Sequence, residues 1–333
     1  MSDTSIITTQ NSPDPRQPAT RQSTPRQPTT RQPTTRQSTT RQPKRKKPYN
    51  VRHLGGDIMR AALTLLAIFI ALAPTVLIFS ASIDPRNSMV NQQIIPKNAN
   101  FDNYRLLLTS DTHPFRIWLF NSLKISITTA LITIFICSIS AYAFSRFRFT
   151  GRRKLLLTVF LVQVFPNALT MVATFLLIQA IGEVFPAFGL NSHGGLILVY
   201  IGGAMGINTW LMKGYFDSVP RSLDESAKMD GASNWQVYTR IILPVVKPIL
   251  TVVALISFIA SYSDFLIPQI ILQDSRQFTL AVGLTLFIRN GEYSSAWGVF
   301  SAGALIGAVP IIVLYLYIQK YLVSGLTSGS VKG

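Results

Sequence analysis

The chain has 333 residues, of which 48% are hydrophobic and 14% charged, with a formal net charge of +17 at pH 7. An ordinary soluble domain carries about a quarter of its residues as Asp, Glu, Lys or Arg, so this composition, with a mean hydropathy of +0.32, excludes that class. A helix that crosses a bilayer needs about 20 mostly apolar residues to satisfy its backbone groups internally, and several runs of that length predict an all-α polytopic membrane protein.

The first 50 residues form a low-complexity tail in which Arg16, Arg21, Arg26, Arg31, Arg36 and Arg41 recur every five residues among Gln, Pro, Ser and Thr. The tail offers no apolar set to bury and its prolines favour extended conformers, so it is expected to be disordered. Twelve Lys/Arg against Asp3, Asp14 and Asp57 lie in the first sixty residues, so much of the positive charge belongs to this segment. The cluster Lys44 to Lys47 resembles a nucleic-acid patch, but a basic run just before a span fixes orientation and touches anionic lipid. No folded recognition motif accompanies it, and no nucleic-acid partner is expected. Its apolar core comes too late for a secretory signal peptide. The single cysteine, Cys137, lies inside an apolar run and excludes an intrachain disulfide.

Residues 51–333 read as one domain of six transmembrane helices: Ile58 to Ile83, Ile117 to Ser145, Leu155 to Ile181, Gly195 to Met212, Val246 to Leu272 and Trp297 to Leu322. Lys/Arg-rich short loops stay in the cytoplasm, and the stretch Arg146 to Lys154, RFRFTGRRK, is strongly basic. The second span therefore runs inward, and alternation puts both termini on the cytoplasmic side of the membrane. The loop from Phe185 to His193 has no Lys or Arg, as an outer loop should. The first outer loop is less tidy, with Arg86, Lys97, Arg105 and Arg116.

Between the fourth and fifth spans lies a charged segment, DESAKMDGASNWQVYTRIILP, from Asp224 to Pro244. Ser222 with Glu225 and Ser233 with Gln236 each have the spacing of a capping box. Between them Asp230-Gly231 lets a first helix end, because glycine tolerates the positive dihedral of a helix terminus. The pattern predicts one helix over Leu223 to Met229 and another from about Asn234, whose Trp235, Tyr238, Ile241 and Ile242 share an apolar face. Such a pair could lie on the membrane surface. Asp224, Glu225 and Asp230 would then face anionic lipid, so a protein partner in the cytoplasm fits better.

The same residues resemble the EAA motif of ABC importer permeases: Glu225-Ser226-Ala227, then Asp230-Gly231-Ala232, then Ile241-Ile242-Leu243-Pro244. Ser226 stands where alanine is usual. The likeness is closer to the MalG-like, carbohydrate-type subgroup and covers roughly Asp57 to Gly333. It extends to NSLKIS (Asn121 to Ser126), AYAFSRFRFTGRR (Ala141 to Arg153), SYSDF (Ser261 to Phe265) and the ending GLTSGSVKG. In that subgroup tryptophan and asparagine are usual where this chain has Tyr262 and Ser263. The resemblance implies a type I ABC importer permease fold with partners: a second permease subunit (MalF-like), an ABC ATPase dimer and an extracytoplasmic solute-binding protein. It also implies that Glu225, Ser226, Ala227, Asp230, Gly231, Ala232, Leu243 and Pro244, within about residues 215–244, form the loop that couples to the ATPase. The glycine-rich C-terminal end would reach toward the ATPase in some members.

No G-x-x-x-x-G-K-[ST] phosphate loop occurs, so the chain is expected to bind no cofactor and not to be an enzyme, with ATP and Mg held by the partner ATPase. His53, His113 and His193 have no metal-ligand spacing. The candidates for a solute path are Asp264, Ser261, Tyr262 and Ser263, because an ionisable residue within a span usually faces a cavity or the protein interior. Asp264 either lines the mouth of the path, or bonds a neighbouring subunit, or caps a break before Pro268. Gly202, Gly203, Gly206, Gly303 and Gly307 lie in small-residue stretches expected to permit close helix packing. The solute expected from the resemblance is a sugar, oligosaccharide or polyol. The competing reading is a self-sufficient secondary transporter or channel, which would show internal repeats or a chain of buried charges.

Overall fold

The computed structural model describes residues 54–86, 93–163, 167–289 and 296–327. The expected disordered tail, the basic cluster before the first span, His53 and the last six residues lie outside them. Among the described residues all regular structure is helical.

In chain order the helices are α1 (Leu54–Ser82), α2 (Asp102–Thr109), α3 (Phe115–Arg146), α4 (Arg152–Val162), α5 (Asn167–Val184), α6 (His193–Ser218), α7 (Arg221–Met229), α8 (Asn234–Gln236), α9 (Leu243–Val245), α10 (Lys247–Ser263), α11 (Leu266–Ile271), α12 (Leu280–Arg289) and α13 (Trp297–Thr327). Among the described residues four helices are each long and apolar enough to cross a membrane, or five if the bent pair around α10 is one span. Two of the six expected spans are therefore not single rods. The third is carried by α4 and α5, each shorter than a full crossing, and the fifth breaks after Ser263.

Helix α1 is apolar around its circumference, and Leu65, Phe69 and Leu72 are exposed. A helix with no polar face is stable only when lipid or another subunit covers it. Its far end is tied to α2: Asn103 Nδ2 donates to the carbonyls of Ser82 at 3.0 Å and Asp84 at 3.1 Å. Arg86 donates to Asp84 through Nε at 3.0 Å and Nη2 at 2.7 Å. One of the four cations that make this loop an exception to the positive-inside pattern is thus neutralised locally.

Helix α3 is the central post, packed against α6 and α10. Toward its N-terminus Phe115 and Trp118 join Leu107, Phe258, Leu280, Phe287 and Val299 in one apolar cluster. Toward its C-terminus Cys137, Ala141 and Tyr142 join Met212, Phe216, Val237, Ile242 and Val253. Trp118 is fully buried, and its indole N–H donates to the Ser275 carbonyl at 2.7 Å. A Cβ at Gly283 would come within 2.1 Å of that indole, so only glycine lets α12 approach so closely. Gly303 and Gly307 do what small residues were expected to do, meeting Leu284 and Leu280. Gly202 and Gly203 do not: nothing lies within 4 Å of a Cβ there, because that face of α6 borders a cavity rather than a helix.

Candidate functional site

The charged segment folds as two short helices, with a correction at the start of the first, which ends at Met229 as expected. Helix α7 begins at Arg221, and Pro220 precedes it with φ −57° and no side-chain cap. The ring of Pro220 presets the entry dihedral, so Ser222 is already inside the helix and forms no capping box with Glu225. The second box is present: Ser233 Oγ accepts from Gln236 N at 3.3 Å, and Gln236 Oε1 accepts from Ser233 N at 2.8 Å. Gly231 between them has φ +82°.

From Val237 to Ile242 the helix is π-wound before α9 takes over. The wider turn shifts the phase of a 3.6-residue pattern, which is why the expected apolar face divides. Tyr238 and Ile242 are buried while Trp235 remains 59% exposed. Segment 234–245 then meets α10 at a 77° bend centred on Val246, and Pro244 and Pro248 flank that bend.

Burial sorts the motif residues. Asp224 and Ala227, three apart on α7, are buried; Glu225, Ser226, Asp230, Gly231 and Pro244 are exposed; Ala232 and Leu243 are half-buried. Asp224 therefore does not face outward as the sequence suggested. Its Oδ2 lies 2.7 Å from Arg146 Nε, and both side chains are nearly enclosed. Arg146 Nη2 also donates to the Val219 carbonyl at 3.0 Å, and Arg221 Nη2 to the Ser145 carbonyl at 3.2 Å. Ser145 Oγ donates to Asp217 Oδ1 at 2.6 Å. On the far side of Gly231, Tyr238 and Ser138 share a hydroxyl bond of 2.7 Å. Spacing could have shown that Asp224 and Ala227 share a face, but not that the partner is 78 positions away in sequence.

The second feature is a half-open cavity of about 1120 Å³ lined by α3, α5, α6, α10 and α11 and by the end of α4. Among its lining residues Asp264 is the one charged group; the polar remainder includes Thr129, Gln163, Tyr200, Asn208, Ser257, Ser261 and Ser263. Pro268 has no N–H to give the carbonyl four residues earlier, which is that of Asp264. The helix stops there, with Asp264 extended at φ −70° and ψ 135°. Its carboxylate bridges the break, accepting from Leu266 N at 3.1 Å and from Tyr200 Oη at 3.0 Å. Asp264 thus both spans a break before Pro268 and faces the cavity.

Ser261 and Ser263 line the same cavity. Tyr262, the fourth candidate, is turned away: its hydroxyl donates to the Gly307 carbonyl at 2.9 Å and its ring stacks on Phe258. Successive helical residues point about 100° apart, so three consecutive positions cannot all face one wall. The sequence reading missed Thr129 and Asn208. Both are buried at the cavity wall, and Thr129 Oγ1 and Asn208 Oδ1 have no hydrogen-bond partner, while Asn208 Nδ2 donates to Ser257 Oγ at 3.2 Å. Buried polar atoms ordinarily find partners; these two oxygens are covered by protein, and only a turn of their side chains would bring them to an occupant. Of the histidines, His193 Nε2 donates to the Gln277 carbonyl at 2.9 Å and His113 packs on Phe287.

A family model described as binding-protein-dependent transport system inner membrane component matches residues 133–328. The maltose/maltodextrin transport system permease protein MalG of Yersinia pestis is 38% identical over 282 residues, 81% of this chain and 92% of that protein. The galactooligosaccharides transport system permease protein GanQ of Bacillus subtilis (strain 168) is 42% identical over 254 residues, 76% of this chain and 87% of that protein. A chain of a bacterial ABC transporter involved in the import of the acidic polysaccharide alginate superposes with a TM-score of 0.70 at 25% identity, covering 83% of this chain and 99% of that one. The chain belongs to the family of binding-protein-dependent transport system inner membrane components.

Proposed function

We propose that this membrane subunit of an ABC importer carries an uncharged sugar, oligosaccharide or polyol along the cavity between α3, α6 and α10. The observation that supports the reading is the chemistry of the cavity wall. Hydroxyl and amide groups at Thr129, Asn208, Ser261, Ser263 and Tyr200, with one carboxylate, suit a solute rich in hydroxyl groups, and apolar Phe175 and Ile267 border them. No lysine, arginine or histidine is among the lining residues, so an anionic solute would find no counter-charge on this wall. The transport systems named for the relatives at 38% and 42% identity handle maltose, maltodextrin and galactooligosaccharides, in keeping with such a solute.

The second part of the proposal concerns energy input. The exposed Glu225, Ser226, Asp230 and Gly231, with Ala227 and Ala232 packed behind them and Leu243-Pro244 leading into α10, form the surface on which an ATPase subunit docks. ATP and Mg would be held there, by the partner. A rigid-body movement of α7 and α8 would carry the ATPase cycle into the spans, a second permease subunit (MalF-like) would complete the pathway, and a solute-binding protein would deliver the ligand from outside. Both termini and the α7–α8 loop would then be cytoplasmic.

Purification from native membranes in mild detergent, with mass spectrometry of the subunits, tests the assembly. An ATPase and a second permease are expected in stoichiometric amounts, and a lone homo-oligomer would overturn the reading in favour of a secondary transporter or channel. Mass spectrometry of the ligand retained by the co-purified binding protein tests the solute. A neutral saccharide or polyol is expected, and an amino acid, peptide or anionic saccharide would overturn that half.

A further inference from the structure

Three helix ends meet where α7 joins the bundle: the C-terminus of α3 at Arg146, the C-terminus of α6 at Ser218 and the N-terminus of α7 at Arg221. Helix ends leave backbone groups without intrahelical partners, and here side chains from a different helix supply two of them. Arg221 of α7 donates to the Ser145 carbonyl in the last turn of α3, and Arg146 of α3 donates to the Val219 carbonyl just beyond α6. Ser145 of α3 donates to Asp217 of α6, which also pairs with Lys213. In the middle the Arg146 guanidinium faces the Asp224 carboxylate, with side chains 7% and 10% exposed. Beneath this layer Tyr142 of α3, Phe216 of α6 and Ala227 of α7 belong to one apolar cluster.

A buried ion pair is weak evidence for net stability, because desolvating two charges offsets most of their attraction, and its better-supported use is to specify one arrangement over others. Here the arrangement specified is the angle of α7 against α3 and α6. Those two helices continue to the cavity, where α3 supplies Thr129 and α6 supplies Tyr200 and Asn208. The pair thus stands between the surface proposed to receive the ATPase and the wall proposed to face the solute.

We propose that Arg146 and Asp224 are positioning residues for transport: their buried contact makes α7 move as one body with α3 and α6. Displacement of the coupling surface then reaches the cavity wall undiminished. Without the contact, α7 swings about Gly231 and Pro220 while the spans stay behind. The inference rests on the coupling role proposed above and adds a geometric requirement to it.

The test is a distance measurement in the intact importer, purified with its partner subunits. In a Cys137→Ala background, spin labels are placed at Met229→Cys on α7, an exposed position, and at Gly203→Cys on α6, where a side chain meets nothing within 4 Å. Double electron–electron resonance is recorded without nucleotide and after ATP–vanadate trapping. The expected result is one narrow distance, unchanged between the two states, which broadens and becomes nucleotide-dependent in Asp224→Asn. The exchange Arg146→Asp with Asp224→Arg is expected to restore the narrow distance and at least half of the coupling ratio, uptake per ATP hydrolysed. A distance in the parent importer that changes on trapping overturns the proposal without any substitution at the pair. An unchanged distance in Asp224→Asn also overturns it. Failure of the coupling role itself shows differently, as absence of an ATPase from the purified complex.

Discussion

Tyr200 on α6 donates its hydroxyl to Asp264 Oδ2 across 3.0 Å, joining the cavity wall to the point where α10 ends. The same carboxylate receives Leu266 N–H through its other oxygen, so one side chain holds both the break and the neighbouring helix. A hydrogen bond to a charged group contributes about 1.5 to 3 kcal/mol. Tyr200→Phe is therefore expected to lower uptake roughly 10-fold or more while the importer still assembles. Asp264→Asn keeps an oxygen for Leu266 and is expected to lose less than Asp264→Ala. Initial uptake rates of the reconstituted importer check both, and equal rates for all three variants would remove Asp264 from the path.

Asn208 lines the cavity, and its Oδ1 is buried without a partner. Where the amide turns to meet an occupant, replacing it by leucine, of similar volume, removes one hydrogen bond worth about 0.5 to 1.5 kcal/mol, and so should weaken transport roughly 2- to 10-fold. The melting temperature in detergent is expected to change little, since the amide has one protein partner, Ser257. A large loss of melting temperature with normal uptake would assign Asn208 to packing.

Gly231 sits at φ +82° with nothing of this chain within 4 Å of a Cβ, so the effect of a substitution within this subunit acts through the backbone and not through a clash. A left-handed conformation costs an ordinary residue about 1 to 2 kcal/mol, and asparagine less. Gly231→Val is expected to leave ATP hydrolysis running while uptake falls, and Gly231→Asn to stay near the parent value. Equal coupling ratios for the two would show that the left-handed turn does not matter to coupling.

Gly283→Ala places a methyl group 2.1 Å from the Trp118 indole. Overpacking of this kind costs about 1 to 3 kcal/mol, so the melting temperature should fall. Combining it with Trp118→Phe gives a double-mutant cycle, in which a smaller ring is expected to recover part of the loss. Strict additivity would separate the two residues.

The side-chain bond from Arg86 holds the Asp84 carboxyl below its ordinary value of 3.8, against the opposing effect of burial. A carboxylate whose folded pKa is depressed contributes stability that is complete above the unfolded value and lost as pH falls through the folded one. The melting temperatures of the parent and Asp84→Asn should therefore differ at neutral pH and converge as pH drops below 3.8. A constant difference down to low pH would show that the Arg86 bond is not what stabilises this loop.

Most of the helical plan was legible in the sequence because its signals are local. Apolar length located α1, α3, α6 and α13; Ser233 and Gln236 announced the start of α8; Gly231 announced the turn before it. The expected cap at Ser222 failed because Pro220 had already set the helix start, and the apolar face of Trp235 and Tyr238 divided because a π turn changes the helical phase. Pro268 carried the signal for the break in the fifth span, which was one of the readings open for Asp264, though the apolar runs on either side of it read as a single span.

By itself the sequence determined an all-helical membrane chain, the membrane-subunit family and the position of a charged two-helix loop, since these depend on residues within a few turns of each other. Only the tertiary structure decided that Asp224 turns inward to Arg146, that Tyr262 leaves the cavity while Asp264 stays, and that Thr129 and Asn208 complete its polar wall. The reason is physical: periodicity reports which side of a helix is apolar, but a buried charge or hydroxyl is defined by the partner it meets, and those partners come from helices far apart in the chain.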